Sequence, residues 1–185
     1  MCAALGPRRD VRIIECGVRL KRLNRPEFDG PVITCGLAGG LTPELSTGSV
    51  VIAQRVMASD GRVVECDEQL FSQLMRAARD EGYEPHAGML LTSEALVNGA
   101  SRAAWLQRGC IAVDMETGLV RAPRIACVRA VLDTPARELS DAWLAPWTIA
   151  WRPDAWPQIG WIAREGPRCA RVAARVLAKA LLDRD

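Results

Sequence analysis

Two stretches of this sequence place carboxylates where chemistry could be done. In Ala112-Val113-Asp114-Met115-Glu116-Thr117-Gly118 an apolar run delivers two acids flanking a methionine, and in Val128-Arg129-Ala130-Val131-Leu132-Asp133 an apolar run ends on an aspartate. Open α/β sheets bind ligands at the carboxyl ends of their strands, where an aspartate can give or take a proton. The first pair also suits the opening turn of a helix, where carboxylates are stabilised by the macrodipole whether or not they bind anything. A third stretch, Gly36-Leu37-Ala38-Gly39-Gly40, follows an apolar run and could let backbone amides approach a ligand, or could simply make a tight turn.

Other chemistries find little support. The glycine stretch is not the G-x-G-x-x-G dinucleotide fingerprint, and no phosphate-binding G-x-x-x-x-G-K-[ST] occurs. His86 is the only histidine, and the seven cysteines include no C-x-x-C pair, so no metal site is expected and the cysteines read as reduced core residues. His86, after Pro85 at a strand start, reads as a loop or edge residue.

A net charge of +2 is too small for a typical nucleic-acid binder. Arg168, Arg171, Arg175 and Lys179 form a stripe at helical spacing, but Val172, Val176, Ala180 and Leu181 give that segment a packing face, so the stripe reads as solvated. Nothing approaches the roughly 20 uninterrupted apolar residues of a membrane span. Arg8, Arg9 and Asp10 interrupt any signal-peptide core, so the expected location is the cytoplasm.

The elements that must position these residues follow from pattern. With 49% apolar and 25% charged residues, the 185-residue chain is expected to form a single domain. Val11–Cys16, Val32–Cys35, Val50–Val56, Arg62–Glu65, Gly88–Thr92, Ile111–Val113 and Ile125–Leu132 read as strands, with Asp60-Gly61 turning the third into the fourth. Asp67 can cap a helix whose Leu70, Leu74, Ala77 and Ala78 share a face and which Gly82 closes. Ala100–Gln107 reads as a short helix. The prolines between Trp143 and Trp161 break that segment into a wrap over the core edge, after which Pro167 opens a C-terminal helix. Strands alternating with helices predict a three-layer α/β/α sandwich around a central mixed sheet, with the motif-bearing core at about 11–135 and the wrap and last helix at 139–183.

Taken in order, Gly-Leu-Ala-Gly-Gly-Leu, Gly48-Ser49-Val50-Val51-Ile52, Ala-Val-Asp-Met-Glu and Val-Arg-Ala-Val-Leu-Asp resemble the nucleoside phosphorylase and nucleosidase superfamily, which includes purine nucleoside phosphorylases and methylthioadenosine/adenosylhomocysteine nucleosidases. The tail Leu132-Asp133-Thr134-Pro135-Ala136-Arg137-Glu138-Leu139 is most similar to the hopanoid-associated phosphorylase branch. The resemblance implies a shortened phosphorylase-like fold and cleavage of the N-glycosidic bond of a purine-type nucleoside. It assigns Asp133 to the departing base as the catalytic acid and Met115 and Glu116 to the ribose. Ala38, Gly39, Leu96 and Val97 it assigns to the base, with a leucine at 96 where relatives often have an aromatic. A homo-oligomer, dimer or trimer, is implied as well.

Two departures from the family's pattern bear on activity. Nucleosidases of the family carry a glutamate near the first strand that activates water, and Met1–Pro7 has none, which favours inorganic phosphate as co-substrate over water. For phosphate, Gly6, Arg8, Arg9 and Gly17 are the nearby candidates, and no other cofactor is implied. The short, basic link from Gly17 to Asp29 and the stub from Gly118 to Ile125 leave open an alternative: a catalytically inactive nucleoside-binding or scaffold protein that keeps the fold.

Overall fold

The computed structural model describes residues 11–140, 143 and 156–183. The elements, in chain order, are β1 (Val32–Gly40), β2 (Val50–Met57), β3 (Val63–Glu65), α1 (Glu68–Asp80), β4 (Pro85–Thr92), α2 (Ala100–Gln107), β5 (Cys110–Asp114), β6 (Ile125–Asp133) and α3 (Trp156–Leu182). The sheet is mixed and runs β3-β2-β4-β5-β1-β6. Because β2 also pairs with β6, through Val50–Ala130 and Ile52–Val128, strands β2, β4, β5, β1 and β6 close into a small barrel. Helices α1 and α3 pack against β1, β2 and β6, and α2 packs against β5, giving the expected α/β arrangement with helices on either side of a mixed sheet.

Every barrel strand contributes to the interior. Ala38 from β1, Val51, Ala53 and Val56 from β2, Leu90 from β4, Ala112 from β5 and Cys127 and Val131 from β6 form one buried cluster. Apart from Leu90 these are small or β-branched side chains, which suits the narrow lumen of a closed sheet. The alternate residues of β6, Ala126, Val128, Ala130 and Leu132, face outward into a larger core with Leu70 and Leu74 of α1 and Val172 and Val176 of α3. Buried on both faces, β6 has no solvent side, so its sequence is an unbroken apolar run rather than an alternating one.

Local signals behaved as the sequence predicts at α1, where the Asp67 carboxylate accepts from the Leu70 N–H and Gly82 takes the left-handed turn after the last helical residues. The Asp60-Gly61 turn joins antiparallel β2 and β3, and α2 spans the expected residues. Three expectations are corrected. Val11–Cys16 forms no strand. Its backbone leads instead into Gly17, whose positive φ turns the chain into a single 3-10 turn at Val18–Leu20. The glycine stretch is not a turn, since β1 continues through Gly40, paired with β6 and β5.

The third correction concerns the C-terminal helix. Pro157 lies in its first turn, and Pro167 is inside it rather than at its start. Gly166 makes this possible: with no Cβ it avoids the steric clash that disfavours helical backbone before a proline, and Pro167 itself lies on the exposed face. Trp156 and Trp161, expected in the wrap, belong to this helix; residues 144–155 of that segment lie outside the described residues. The basic stripe is solvated, with Arg168 on Glu165, Arg175 on Glu81 and Lys179 on Asp183.

His86, as expected, stands at a strand start: it is the second residue of β4, half-buried and paired with Val51 of β2, and the pairing of β4 with β5 begins only at Met89. Among the described residues no helix is long and apolar enough to cross a membrane.

Candidate active site

Two networks of buried charge lie at the carboxyl ends of β5 and β6, strands that run in opposite directions on either side of β1. The first centres on Asp114, which is 3% exposed. Its carboxylate accepts from Thr92 Oγ1 at 2.7 Å, from the Thr117 N–H at 3.1 Å and from the Thr117 hydroxyl. It also accepts from Arg129 Nη2 at 2.5 Å and Nε at 3.0 Å. Thr117 Oγ1 accepts from Arg129 Nη2 at 2.8 Å and lies 2.8 Å from the Thr34 hydroxyl. Burial opposes the charge on Arg129, but Asp114 and Glu116 beside it hold its pKa above the ordinary arginine value.

Asp114 is therefore a scaffold. By gripping Thr117 it fixes the chain's exit from β5 as a single 3-10 turn, Thr117–Leu119. That turn presents Met115 and Glu116, both half-buried, at the rim. Glu116 is held from two sides: its Oε2 lies 3.7 Å from Arg129 Nη2, and its Oε1 accepts the Arg19 N–H at 3.0 Å. Arg19 sits in the turn that Gly17 heads, and Gly17, Arg19 and Leu20 all have positive φ, a strained run for the two non-glycine residues.

The second network centres on Asp133, 6% exposed. A one-residue shift between β1 and β6 pairs Ala38 with Val131 but Gly39 with Asp133, leaving Leu132 as the extra residue. Strict alternation would have pointed Asp133 into the lumen beside Val131. The bulge instead sets it opposite Gly39, whose own partner on β5 is Val113, so that Asp133, Gly39 and Val113 form one cross-strand row. A Cβ at position 39 would lie 3.1 Å from both carboxylate oxygens, so Gly39 leaves the room that Asp133 fills. Arg102 of α2 closes the site: its guanidinium donates to Asp133 Oδ2 and to the Gly40 carbonyl, and its Nε faces Glu138 Oε1 at 3.0 Å. Burial pushes the Asp133 carboxyl above the usual carboxylate range, and the pairing with Arg102 opposes that shift.

The sequence-predicted residues are thus brought together in part. Asp133 and Gly39 touch, and Met115 and Glu116 sit at the end of the strand two places across. Ala38 is buried in the lumen cluster, and Val97 packs in a core with Leu41, Met57, Leu91 and Val113, while Leu96 is half-buried. Gly6, Arg8 and Arg9 lie outside the described residues. An open cleft of about 420 Å³ lies against the Asp133 network, lined by Leu41, Pro43, Ala103 and Leu106 with Arg102 and Glu138. Sequence reasoning passed over Arg102 and Arg129. The signal for Arg129 was present, because a cation inside a nine-residue apolar strand requires a buried counter-charge. Arg102, on a helix of low amphipathicity, gave none.

Among the described residues no three His, Cys, Asp or Glu side chains converge as a metal ion would need. The cysteines among them form no disulfide with one another, and burial pushes the Cys35 thiol up to about 11 and Cys66 to about 12, so neither is a ready nucleophile.

Comparison with known proteins agrees with this architecture. Solved structures with a similar fold include the S-adenosylhomocysteine nucleosidase of Streptococcus pyogenes, at 18% identity over 84% of this chain and 68% of that one, with a TM-score of 0.63. The 5′-methylthioadenosine/S-adenosylhomocysteine nucleosidase of Neisseria meningitidis matches at 21% identity over 82% and 69%, with a TM-score of 0.62. Futalosine hydrolase of Helicobacter pylori matches at 16% identity over 83% and 68%, with a TM-score of 0.61. Residues 29–122, just over half of the chain and carrying β1 to β5 with the Asp114–Val120 exit turn, match the family model described as the phosphorylase superfamily, and the chain belongs to that superfamily.

Proposed function

We propose that this protein cleaves the N-glycosidic bond of a purine-type nucleoside, with phosphate as the preferred acceptor. The observation that carries this reading is the cross-strand row Asp133, Gly39 and Val113, which brings a buried carboxylate to within two strand spacings, about 10 Å, of the strand that presents Met115 and Glu116. That gap suits a base at Asp133 and a sugar at Glu116. As the bond from the anomeric carbon to the base nitrogen breaks, Asp133 gives a proton to the base and neutralises its developing negative charge. Glu116 accepts hydrogen bonds from the ribose hydroxyls and favours the positive charge growing on the sugar. A phosphate oxygen then bonds to the anomeric carbon, and the products are sugar phosphate and free base.

The family and the nucleosidase-like neighbours support bond cleavage of this kind. Among them, the Neisseria meningitidis protein was solved with methylthio-immucillin-A. The preference for phosphate draws on Gly17, one of the sequence's phosphate-binding candidates, heading the turn that meets Glu116. The test incubates the protein with a nucleoside panel, with and without phosphate, and follows free base by chromatography. Phosphate-dependent release is expected, falling roughly 100-fold or more in Asp133→Asn. No release from any nucleoside, or equal release by Asp133→Asn, would remove the catalytic reading.

A second reading, a nucleoside binder without turnover, draws on one feature: both carboxylates already have protein donors, Arg102 on Asp133 and the Arg19 N–H on Glu116. Calorimetric binding of adenosine by a protein that releases no base would favour it.

A further inference from the structure

Arg102 touches two carboxylates at once, and the second, Glu138, has no part in the proposed bond cleavage. Its guanidinium comes from α2, is 3% exposed, and lies between Asp133 of β6 and Glu138 of the loop that follows β6. Glu138 differs from Asp133 in being a third exposed, and its Oε1 also accepts the Gly99 N–H at 2.7 Å, at the amino end of α2. One cation is therefore shared between an enclosed acid and an acid that meets solvent. The neighbours of Asp133 on β1 and β5 are uncharged, Gly39 and Val113, so Arg102 and Glu138 are the charged groups facing it among the described residues.

We propose that Arg102 is the positioning residue of Asp133, and that Glu138 sets how much of the Arg102 charge Asp133 receives. This rests on the reading of Asp133 as the acid that meets the base. Arg102 fixes the Asp133 carboxyl in one rotamer by binding Oδ2 and anchoring itself on the Gly40 carbonyl. Glu138 draws on the same guanidinium through Nε, so part of the cation's field is spent on the solvent side. The two partners pull the proton affinity of Asp133 in opposite directions: the cation favours the carboxylate, and the anion behind it favours the protonated acid. An apolar or uncharged neighbour in either place would pack similarly but would not tune Asp133.

The experiment uses the full chain labelled with ¹³C at the aspartate carboxyl carbons, with the Asp133 signal identified by its loss in Asp133→Asn. Its titration midpoint is followed in wild type, Arg102→Gln, Arg102→Lys and Glu138→Gln. Removing the cation in Arg102→Gln is expected to move the midpoint to higher pH, and removing the anion in Glu138→Gln to lower pH, while Arg102→Lys stays nearer wild type. Glu138 is on the surface side, so its variant is expected to fold even if Arg102→Gln does not, and a downward shift there supports the proposal. Midpoints that do not move, or that move the same way in Arg102→Gln and Glu138→Gln, overturn it. The same variants are assayed for base release against pH, where the limb that needs protonated Asp133 should follow the midpoints. If wild type releases no base while the opposite shifts persist, the functional reading falls and the coupling between these residues stands.

Discussion

Arg129 reaches Asp114 by passing directly over Gly36, its partner on the neighbouring strand. A Cβ at position 36 would lie 2.5 Å from Arg129 Nη1. Such a clash is cheap when the intruded atom ends a free side chain. Here that end is enclosed and bonded to Asp114 and Thr117, so it cannot step aside without breaking the network.

Gly36→Ala is therefore expected to destabilise the fold by about 1–3 kcal/mol, the usual range for overpacking a filled interior. Urea unfolding checks it, with Gly30→Ala as control. Nothing lies within 4 Å of a Cβ at Gly30, so that change is expected to stay within about 0.5 kcal/mol. Equal effects at the two positions would mean that Arg129 has more freedom than its contacts imply.

The Asp114 and Arg129 pair can be tested from its other side. Asp114→Ala leaves the Arg129 cation buried without its main partner, which should cost about 3–5 kcal/mol. The double variant Asp114→Ala with Arg129→Met removes both charges. It is expected to be more stable than the sum of the two single losses predicts, by roughly 1–3 kcal/mol of coupling. Additive losses would mean that the two residues stabilise the exit turn independently, Asp114 through Thr92 and Thr117 alone.

How far the sequence could be read follows from the same residues. Strands β1 to β6, α1 and α2 were legible because their signals are local: apolar runs, the Asp67 cap and the Asp-Gly turn; the same kind of run at Val11–Cys16 yields no strand. The positions of Asp133 and Glu116 were legible through ordered motifs. What Asp133 faces was not, because a slip between Ala38 and Gly39 is decided by how two distant strands register, and alternation along β6 points to the other face. The glycine stretch misled for a related reason. Its glycines are needed for the side chains of β6 that cross them, Arg129 at Gly36 and Asp133 at Gly39, and not for a turn. Arg102 joins the site only through tertiary packing of α2, which leaves no periodic trace in eight residues.

Acid stability should carry the mark of Asp67. Its carboxylate caps α1 and pairs with Arg124 Nε at 2.6 Å, and the Arg124 hydrogen bond, with the Leu70 N–H behind it, lowers its pKa from 3.8 to about 2. A carboxyl depressed in the folded state adds stability above its unfolded pKa, and that contribution is lost as pH falls from about 4 towards 2. Comparing chemical denaturation of wild type with Asp67→Asn across this range should show the two curves converging at the acid end. The gap at neutral pH should be modest, since the asparagine still caps the helix and Arg124 is 41% exposed. A gap that stays constant from pH 7 to pH 2 would mean the Asp67 charge contributes nothing.

Pro167 offers a prediction of opposite sign. In the interior of α3 it has no N–H to give the carbonyl of Ala163, and its ring crowds the same turn, both of which weaken a helix. The helix survives because Gly166 tolerates the position before proline and because Val172, Ala173 and Val176 bury its inner face against β6 and α1. Pro167 is exposed, so replacing it removes no core contact. Pro167→Ala restores the donor and the best helix-forming residue, and is expected to raise stability by about 1 kcal/mol or more, below the roughly 3 kcal/mol difference seen in unconstrained helices because the present backbone has already adapted. Its midpoint of thermal unfolding should rise accordingly. Gly166→Ala alone should gain less or lose, since alanine improves helix propensity but meets the Pro167 ring, and the double variant Gly166→Ala with Pro167→Ala should exceed the sum of the two. A fall in stability on Pro167→Ala would mean that the proline sets a bend on which the packing of α3 against the barrel depends.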